Sequence, residues 1–310
     1  MSVIDVNGLT KTFSSVSAVK DVSFTVLEGE VFGFLGPNGA GKTTTINMLC
    51  TLVRPTSGSA TLNGHDVITD KNAVRRSIGL VFQETTLDDH LTAEQNIMFH
   101  ALAYGVPKKA RIQKTEELLV LLGLWDRRKD KIATYSGGMK RRLEIARGLV
   151  HLPKILFLDE PTLGLDPQTR NNIWEYILKL RDEQGLTIFL TTHYMDEAEH
   201  SDRIAVIDDG RIVATDSPQF LKSQIQGDLV IIKSANLAPI SEKLQDTFSL
   251  APKFINDAVT VQVPDGEKFI PRFLRAYEGD IHSIGLTRPT LEDVFLNLTG
   301  RHIRESESTG

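Results

Sequence analysis

Short apolar runs rich in β-branched residues, separated by turn residues, fill the first eighty positions and predict strands at 3–9, 22–26, 31–35, 59–62 and 78–82. Between them only 43–52 carries a helical pattern, so a strand, a Gly-rich turn and a helix follow one another as a βα unit. From about Glu84 to Leu152 the spacing turns helical. Thr92 and Gln95 have the separation of a capping box, and 111–122 places apolar residues at helical spacing before Gly123. This stretch predicts a helical arm inserted into the sheet domain. Strands return at 154–158, 187–191 and 203–207, with a helix over 168–184 and a short one near 195–200, and the core closes around Leu221. Beyond Gly227 the pattern restarts as β-α-β-α-β (229–233, 238–247, 259–263, 268–277, 281–286) with a final helix over 291–298. The expectation is an α/β domain over 1–220 with its helical subdomain at about 84–152, a small α+β domain over 221–300, and a polar, disordered tail at 301–310.

Composition narrows the class. With 310 residues, 41% hydrophobic and 24% charged, the chain has material for roughly two ordinary domains. Its net charge of −5 supplies no global basic field for nucleic acid or anionic lipid. Cys50 stands alone, which excludes an internal disulfide and a Cys-rich metal cage and fits a reducing cytosol. The longest strongly apolar stretch, 118–125, is far short of the roughly 18–20 residues of a membrane-spanning helix, and the first residues lack the apolar core of a secretory signal. The expected place is therefore the cytoplasm.

Three strings carry chemistry. Gly36, Pro37, Asn38, Gly39, Ala40, Gly41, Lys42 and Thr43 satisfy G-x-x-x-x-G-K-[ST] where the mechanism requires it, after a strand and opening a helix. Glycines let backbone N–H groups turn onto phosphate oxygens, Lys42 faces the β- and γ-phosphates, and the Thr43 hydroxyl suits Mg²⁺. The apolar run 155–158 ends in Asp159 and Glu160, one carboxylate for the metal shell and one pointing differently, a candidate general base. Ser136, Gly137 and Gly138 open an amphipathic helix, either as a well-capped terminus or as a second anion site. No [NT]-K-x-D string reads guanine, which favours ATP.

Taken in order, the P-loop, Gln83 after a strand, YSGGM, LFLDE, the Leu163 to Asp166 string and His193 resemble the ATP-binding subunits of ABC transporters over residues 1 to about 220. The stretch 288–300 resembles the tail of the daunorubicin-resistance-like branch, which serves ABC-2-type exporters. The resemblance implies a P-loop NTPase core of the ABC ATPase kind with an inserted helical subdomain, and ATP and Mg²⁺ as ligands. It further implies a head-to-tail homodimer in which each ATP lies between one P-loop, including Thr44, and the partner's signature loop. Ser136 and Gly138 then contact the γ-phosphate in trans, with Gly137 beside them. Gln83 joins the Mg²⁺ and attacking-water region to the arm, Asp166 links the two sites, and His193 holds the γ-phosphate. Phe13 stands where the family has an adenine-stacking aromatic, often Tyr; the alternative is a core residue. Tyr135 and Met139 depart from the commoner Leu and Gln of the signature. The implied assembly is a peripheral ATPase at the cytoplasmic face of the membrane, bound to a separate polytopic permease that exports drug, lipid or polysaccharide, with no nucleic acid. Importer ATPases are the runner-up. A soluble ABC ATPase acting on nucleic acid or ribosomes is a third reading, disfavoured because neither a long coiled-coil insertion nor a second cassette is present.

Overall fold

The hairpin β1 (Ser2–Phe13) and β2 (Val16–Leu27) leads into β3 (Val31–Leu35), whose five residues are all buried, and then α1 (Lys42–Leu49) in a computed structural model that describes residues 1–225, 227–255 and 257–300. β4 (Ser57–Leu62), β5 (His65–Asp66), α2 (Lys71–Ser77) and β6 (Ile78–Val81) follow. The arm comprises α3 (Ala93–Ala103), α4 (Lys108–Leu121) and α5 (Gly137–Leu149). The chain returns through β7 (Ile155–Asp159), α6 (Pro167–Gln184), β8 (Thr187–Thr192), α7 (Met195–Ala198), β9 (Arg203–Asp208) and β10 (Arg211–Asp216). After α8 (Pro218–Ser223) come β11 (Asp228–Lys233), α9 (Ala238–Phe248), β12 (Lys253–Ile255), β13 (Ala258–Val263), α10 (Gly266–Ala276), β14 (Ser283–Thr287) and α11 (Leu291–Thr299).

Contacts divide the described residues into two units, 1–217 and 218–300. In the first, a six-stranded sheet runs β10-β9-β3-β8-β7-β6, parallel from β9 through β6, beside an antiparallel sheet of order β2-β1-β4-β5. Alternating apolar positions of β1 and β2 pack on Phe32, Phe34, Phe157 and Phe189, and the Phe24 ring stacks 5.4 Å from Phe32. A second core joins β7 and β8 to the arm through Leu119, Leu143, Ile145, Leu158 and Trp174. Each such buried side chain contributes about 1.5–3 kcal/mol of transfer free energy, so the parallel sheet is clamped from both faces. The predicted capping box is formed: Thr92 Oγ1 accepts from Gln95 N and Gln95 Oε1 from Thr92 N.

Several elements depart from the sequence expectation, the short β5 and α8 among them. α2 buries only Val74 and Ser77, and β10 alternates exposed and half-buried residues on an edge with no fully buried position; neither presents a strong apolar pattern to read. The second unit is β-α-β-β-α-β, because the three-residue strand β12 pairs with β13 at Lys253–Ile255 and is too short for periodicity to reveal. Its strand order, β12-β13-β11-β14, is the split β-α-β arrangement of ferredoxin-like folds, with Phe269 and Phe273 of α10 in its core. The polar tail 301–310 lies outside the described residues.

Candidate active site

β3, β8, β7 and β6 are consecutive neighbours running in one direction, so their carboxyl ends share one edge of the sheet. From those ends leave, respectively, the Gly36–Thr43 loop, His193, Asp159 with Glu160, and Gln83. Open α/β sheets bind ligands at that edge because backbone groups and helix N-termini face outward there. Three of these segments, far apart in sequence, line one cleft of about 290 Å³ through Asn38, Gly39, Lys42, Thr43, Gln83 and Glu160 among others, and His193 lies against its Glu160.

The loop's glycines have separate reasons. Gly41, at φ 102°, lies where an added Cβ would meet the Ala18 carbonyl oxygen at 2.4 Å, so a side chain is excluded by conformation and by space. Gly36 at the strand end would meet the Ile207 oxygen at 2.2 Å. Lys42 folds back beneath the loop, its Nζ donating to Gly36 O at 2.8 Å and Pro37 O at 3.2 Å. Burial lowers its pKa, and Glu160 and then Asp159 oppose that shift.

Asp159 and Glu160 diverge. Asp159 Oδ1 accepts from Thr191 Oγ1 and, at 3.3 Å, from Thr43 Oγ1. Desolvation raises its pKa, which the two hydroxyls and Lys42 only partly offset. A hydroxyl and a carboxylate side by side are hard oxygen donors of the kind Mg²⁺ takes when phosphates supply much of the remaining shell, so this pair fits that ion. Among the described residues no cluster of three or more His, Cys, Asp or Glu forms a metal cage, and a phosphate-held Mg²⁺ requires none.

Glu160 sits at φ 46°, a left-handed conformation unusual for a residue with a side chain, and its N–H is held by Thr191 O at 3.2 Å and Thr191 Oγ1 at 3.1 Å. The kink turns its carboxylate into the cleft: Oε1 lies 3.2 Å from Lys42 Nζ and 3.3 Å from His193 Nδ1, the latter without hydrogen-bond alignment, and Oε2 accepts from Gln83 Nε2 at 3.5 Å. Burial raises its pKa, but His193 and Lys42 outweigh burial and hold it below the usual range, so the group is ionised at neutral pH. Lys42, Gln83, Glu160 and His193, singled out separately in the sequence, meet on one carboxylate.

Ser136 is the N-cap of α5, accepting from Met139 N at 3.3 Å, with Gly137 exposed beside it. Tyr135 buries its ring in the arm and donates its hydroxyl to Arg127 O at 2.8 Å, so the departure from Leu serves packing. A Cβ on Gly138 would stand 2.3 Å from Thr169 Cγ2. Gly138→Asp therefore disturbs α5 against α6 within one chain, and Ser136→Ala is the cleaner probe of this loop. Asp166 caps α6, accepting from Thr169 N at 3.0 Å. Phe13 is 46% exposed with Lys11 Nζ 4.7 Å from its ring centroid, and is not a core residue.

Four residues around the cleft escaped the sequence reading: Arg141, Glu144, Thr191 and Glu197. Arg141 and Glu144 lie in a charged helical run that reads as solvated surface. Glu197 is 1% exposed, accepting from Thr162 Oγ1 and from Thr192 Oγ1 at 2.6 Å, which ties the segment after Glu160 to the one before His193. Desolvation pushes its pKa up to about 7, the Thr192 hydrogen bond opposing. A carboxyl whose pKa is raised on folding favours the fold while protonated, so its contribution is full below the unfolded value near 4.5 and is lost as pH rises through about 7. Glu197→Gln is expected to flatten the melting temperature between pH 5 and 8, an effect on the order of 3 kcal/mol. Parallel melting curves for parent and variant across that range would show that Glu197 does not titrate there.

The ABC transporter family profile matches residues 19–163. The chain is 39% identical over 312 residues to the doxorubicin resistance ATP-binding protein DrrA of Mycobacterium tuberculosis, covering 96% of this chain and 94% of that one. The chain belongs to the ABC transporter ATP-binding proteins. Similar agreement extends to the linearmycin resistance ATP-binding protein LnrL of Bacillus subtilis, 38% identical over 98% of this chain and 100% of that one. The Nod factor export ATP-binding protein I of Burkholderia lata is 38% identical over 97% and 98%. Among solved structures, a dimeric ATP-binding cassette in a post-hydrolysis state bound to ADP and Pi matches with a TM-score of 0.63 and 30% identity, over 69% of this chain and 98% of that one. This ABC ATP-binding protein thus has the P-loop NTPase fold expected of it, and ATP hydrolysis is the activity of its family.

Proposed function

We propose that this ABC ATP-binding protein is the ATP-hydrolysing subunit of an ABC-2-type exporter, working as a head-to-tail homodimer on a separate polytopic permease at the cytoplasmic face of the membrane. The supporting observation is similarity over nearly the whole chain, second unit included, to relatives named for drug resistance and for Nod factor export. No helix among the described residues is long and apolar enough to cross a membrane, so a transport role draws its pathway from another chain.

In this reading residues 1–220 are the ATP-binding domain, with the helical subdomain at 84–152, and 221–300 an accessory domain. The P-loop N–H groups and Lys42 hold the β- and γ-phosphates, and Phe13 stacks on adenine. Thr43, Asp159 and Gln83 would hold Mg²⁺, which, when bound, offsets charge on the phosphate oxygens. Gln83 orients the attacking water, Glu160 accepts its proton, and His193 donates to the γ-phosphate. Ser136, Gly137 and Gly138 close the partner's site, and Asp166 touches the opposite protomer.

Purification from native membranes in mild detergent is expected to recover a polytopic protein with the chain, and charged substitutions at exposed positions of 85–92, beside Gln83, to reduce that recovery while ATP binding persists. Capture of ribosomes or DNA with no polytopic partner after crosslinking would overturn the exporter reading. Deletion from Pro218 onward should leave ATP affinity within about threefold, because every phosphate-facing group lies earlier, and should weaken dimer or permease assembly. Full transport by that truncated chain would remove the accessory domain from the mechanism.

A further inference from the structure

Arg141 lies one turn into α5, just after the Ser136–Gly138 loop, with its side chain almost wholly buried. All three guanidinium nitrogens are engaged, and four of the acceptors are backbone carbonyls from two other segments. Nε donates to Pro161 O at 2.6 Å, Nη2 to Asp159 O at 2.9 Å and Glu160 O at 3.1 Å, and Nη1 to Phe82 O at 2.5 Å and Glu144 Oε2 at 3.2 Å. Glu144 continues the connection, its Oε1 accepting from Thr86 N at 2.9 Å. One side chain from the signature helix therefore grips both ends of the Glu160 residue's immediate backbone and the last carbonyl before Gln83.

A buried cation is costly unless its donors are matched, and here each acceptor lies where a planar fork can reach several at once. Glu160 is the residue with most need of such a grip. Its φ of 46° is held on one side by Thr191 and on the other by Arg141 bonded to the Glu160 oxygen and to the carbonyls before and after it. A smaller cleft of about 190 Å³ opens at this junction, lined by Gln83, Gly137, Arg141, Glu144, Glu160 and Leu165 among others.

We infer that Arg141 is a positioning residue for ATP hydrolysis: its guanidinium fixes the kinked Glu160 backbone and the start of the Gln83 loop in the frame of the helix that the signature loop opens. It touches no reacting atom. Its effect runs through Glu160, and so rests on the reading of Glu160 as general base. A displacement of the signature loop then reaches the base of the same chain through one side chain, without passing through the P-loop.

The test compares the full-length parent with Arg141→Lys, with Arg141→Met combined with Glu144→Gln, with Glu160→Gln, and with Glu160→Gln carrying Arg141→Lys. Each is measured for binding of a fluorescent ATP analogue, kcat, KM and melting temperature. Lysine keeps the charge beside Glu144 but not the fork, and the Met/Gln pair removes the buried charges together, so both guard against simple loss of folding. Both are expected to bind the analogue within about threefold of the parent and to lose kcat by about tenfold or more with KM little changed, as a base misplaced by a fraction of an ångström does. The combined Glu160→Gln and Arg141→Lys chain should be no slower than Glu160→Gln alone, because the two residues act as a unit.

Rescue of parental kcat by lysine or by the Met/Gln pair would mean that charge balance, not positioning, is Arg141's role. Loss of nucleotide binding in step with kcat would likewise reduce it to a structural residue, and additive losses would show that it acts independently of Glu160. Parental turnover by Glu160→Gln would overturn the base assignment, and the inference with it. An inactive Glu160→Gln beside a fully active Arg141→Lys would overturn the inference alone.

Discussion

Lys42→Ala is expected to lower ATP turnover by about 10³-fold or more and to weaken nucleotide binding in the same preparation. A buried ammonium aimed at developing phosphate charge is worth more than in water, and removing one such group commonly costs 10²–10³ in rate, about 3–4 kcal/mol. The geometry adds a second loss. Lys42 is the cation 3.2 Å from Glu160 Oε1, so its removal takes away one of the two groups, with His193, that hold the proposed base ionised and in place. ATPase and nucleotide-binding assays on purified chains at pH 7 read both losses, and near-parental activity would dismiss the P-loop assignment.

That Lys42 meets Glu160 was legible in the sequence only as two motifs with related chemistry. The P-loop is readable because its requirements are local: Gly36, Gly39 and Gly41 answer to backbone conformation and clearance, and the strand and helix on either side are strongly patterned. Asp159 and Glu160 are readable because an apolar strand ending in two acids beside a P-loop has a chemical purpose. Their divergence is not readable, since it depends on the left-handed backbone of Glu160, for which the sequence offers no glycine as a signal. Arg141 was hidden for a different reason. Lys140, Arg141 and Arg142 form a run of like charge that reads as a solvated helix face, whereas the 100° turn per residue sends Lys140 to Asp89 at 2.8 Å and Arg141 inward to the carbonyls. Buried carbonyls leave no residue-type signature, so a side chain that recognises them is found only once the strands are placed. The accessory unit shows the same limit, where a three-residue edge strand changes the topology without changing the apolar pattern.

Glu160→Gln separates holding ATP from hydrolysing it. The amide matches the carboxylate in shape but cannot accept a proton from water, and general base catalysis is typically worth 10²–10⁴ in rate. Loss of the negative charge also frees Lys42 and His193 from a competing anion 3.2 and 3.3 Å away, so the γ-phosphate meets both without a rival. Nucleotide affinity should therefore hold or rise while turnover falls by about 10³-fold, and a dimer closed on ATP should persist rather than dissociate. The two variants make opposite demands on one salt bridge. Removing the cation costs binding and chemistry together, whereas removing the anion costs chemistry alone. Equilibrium binding, single-turnover hydrolysis and sedimentation in the presence of ATP resolve the three quantities. Parental hydrolysis by Glu160→Gln would transfer the base to another group, and His193, the nearest titratable neighbour of that carboxylate besides Lys42, would be the next residue to replace.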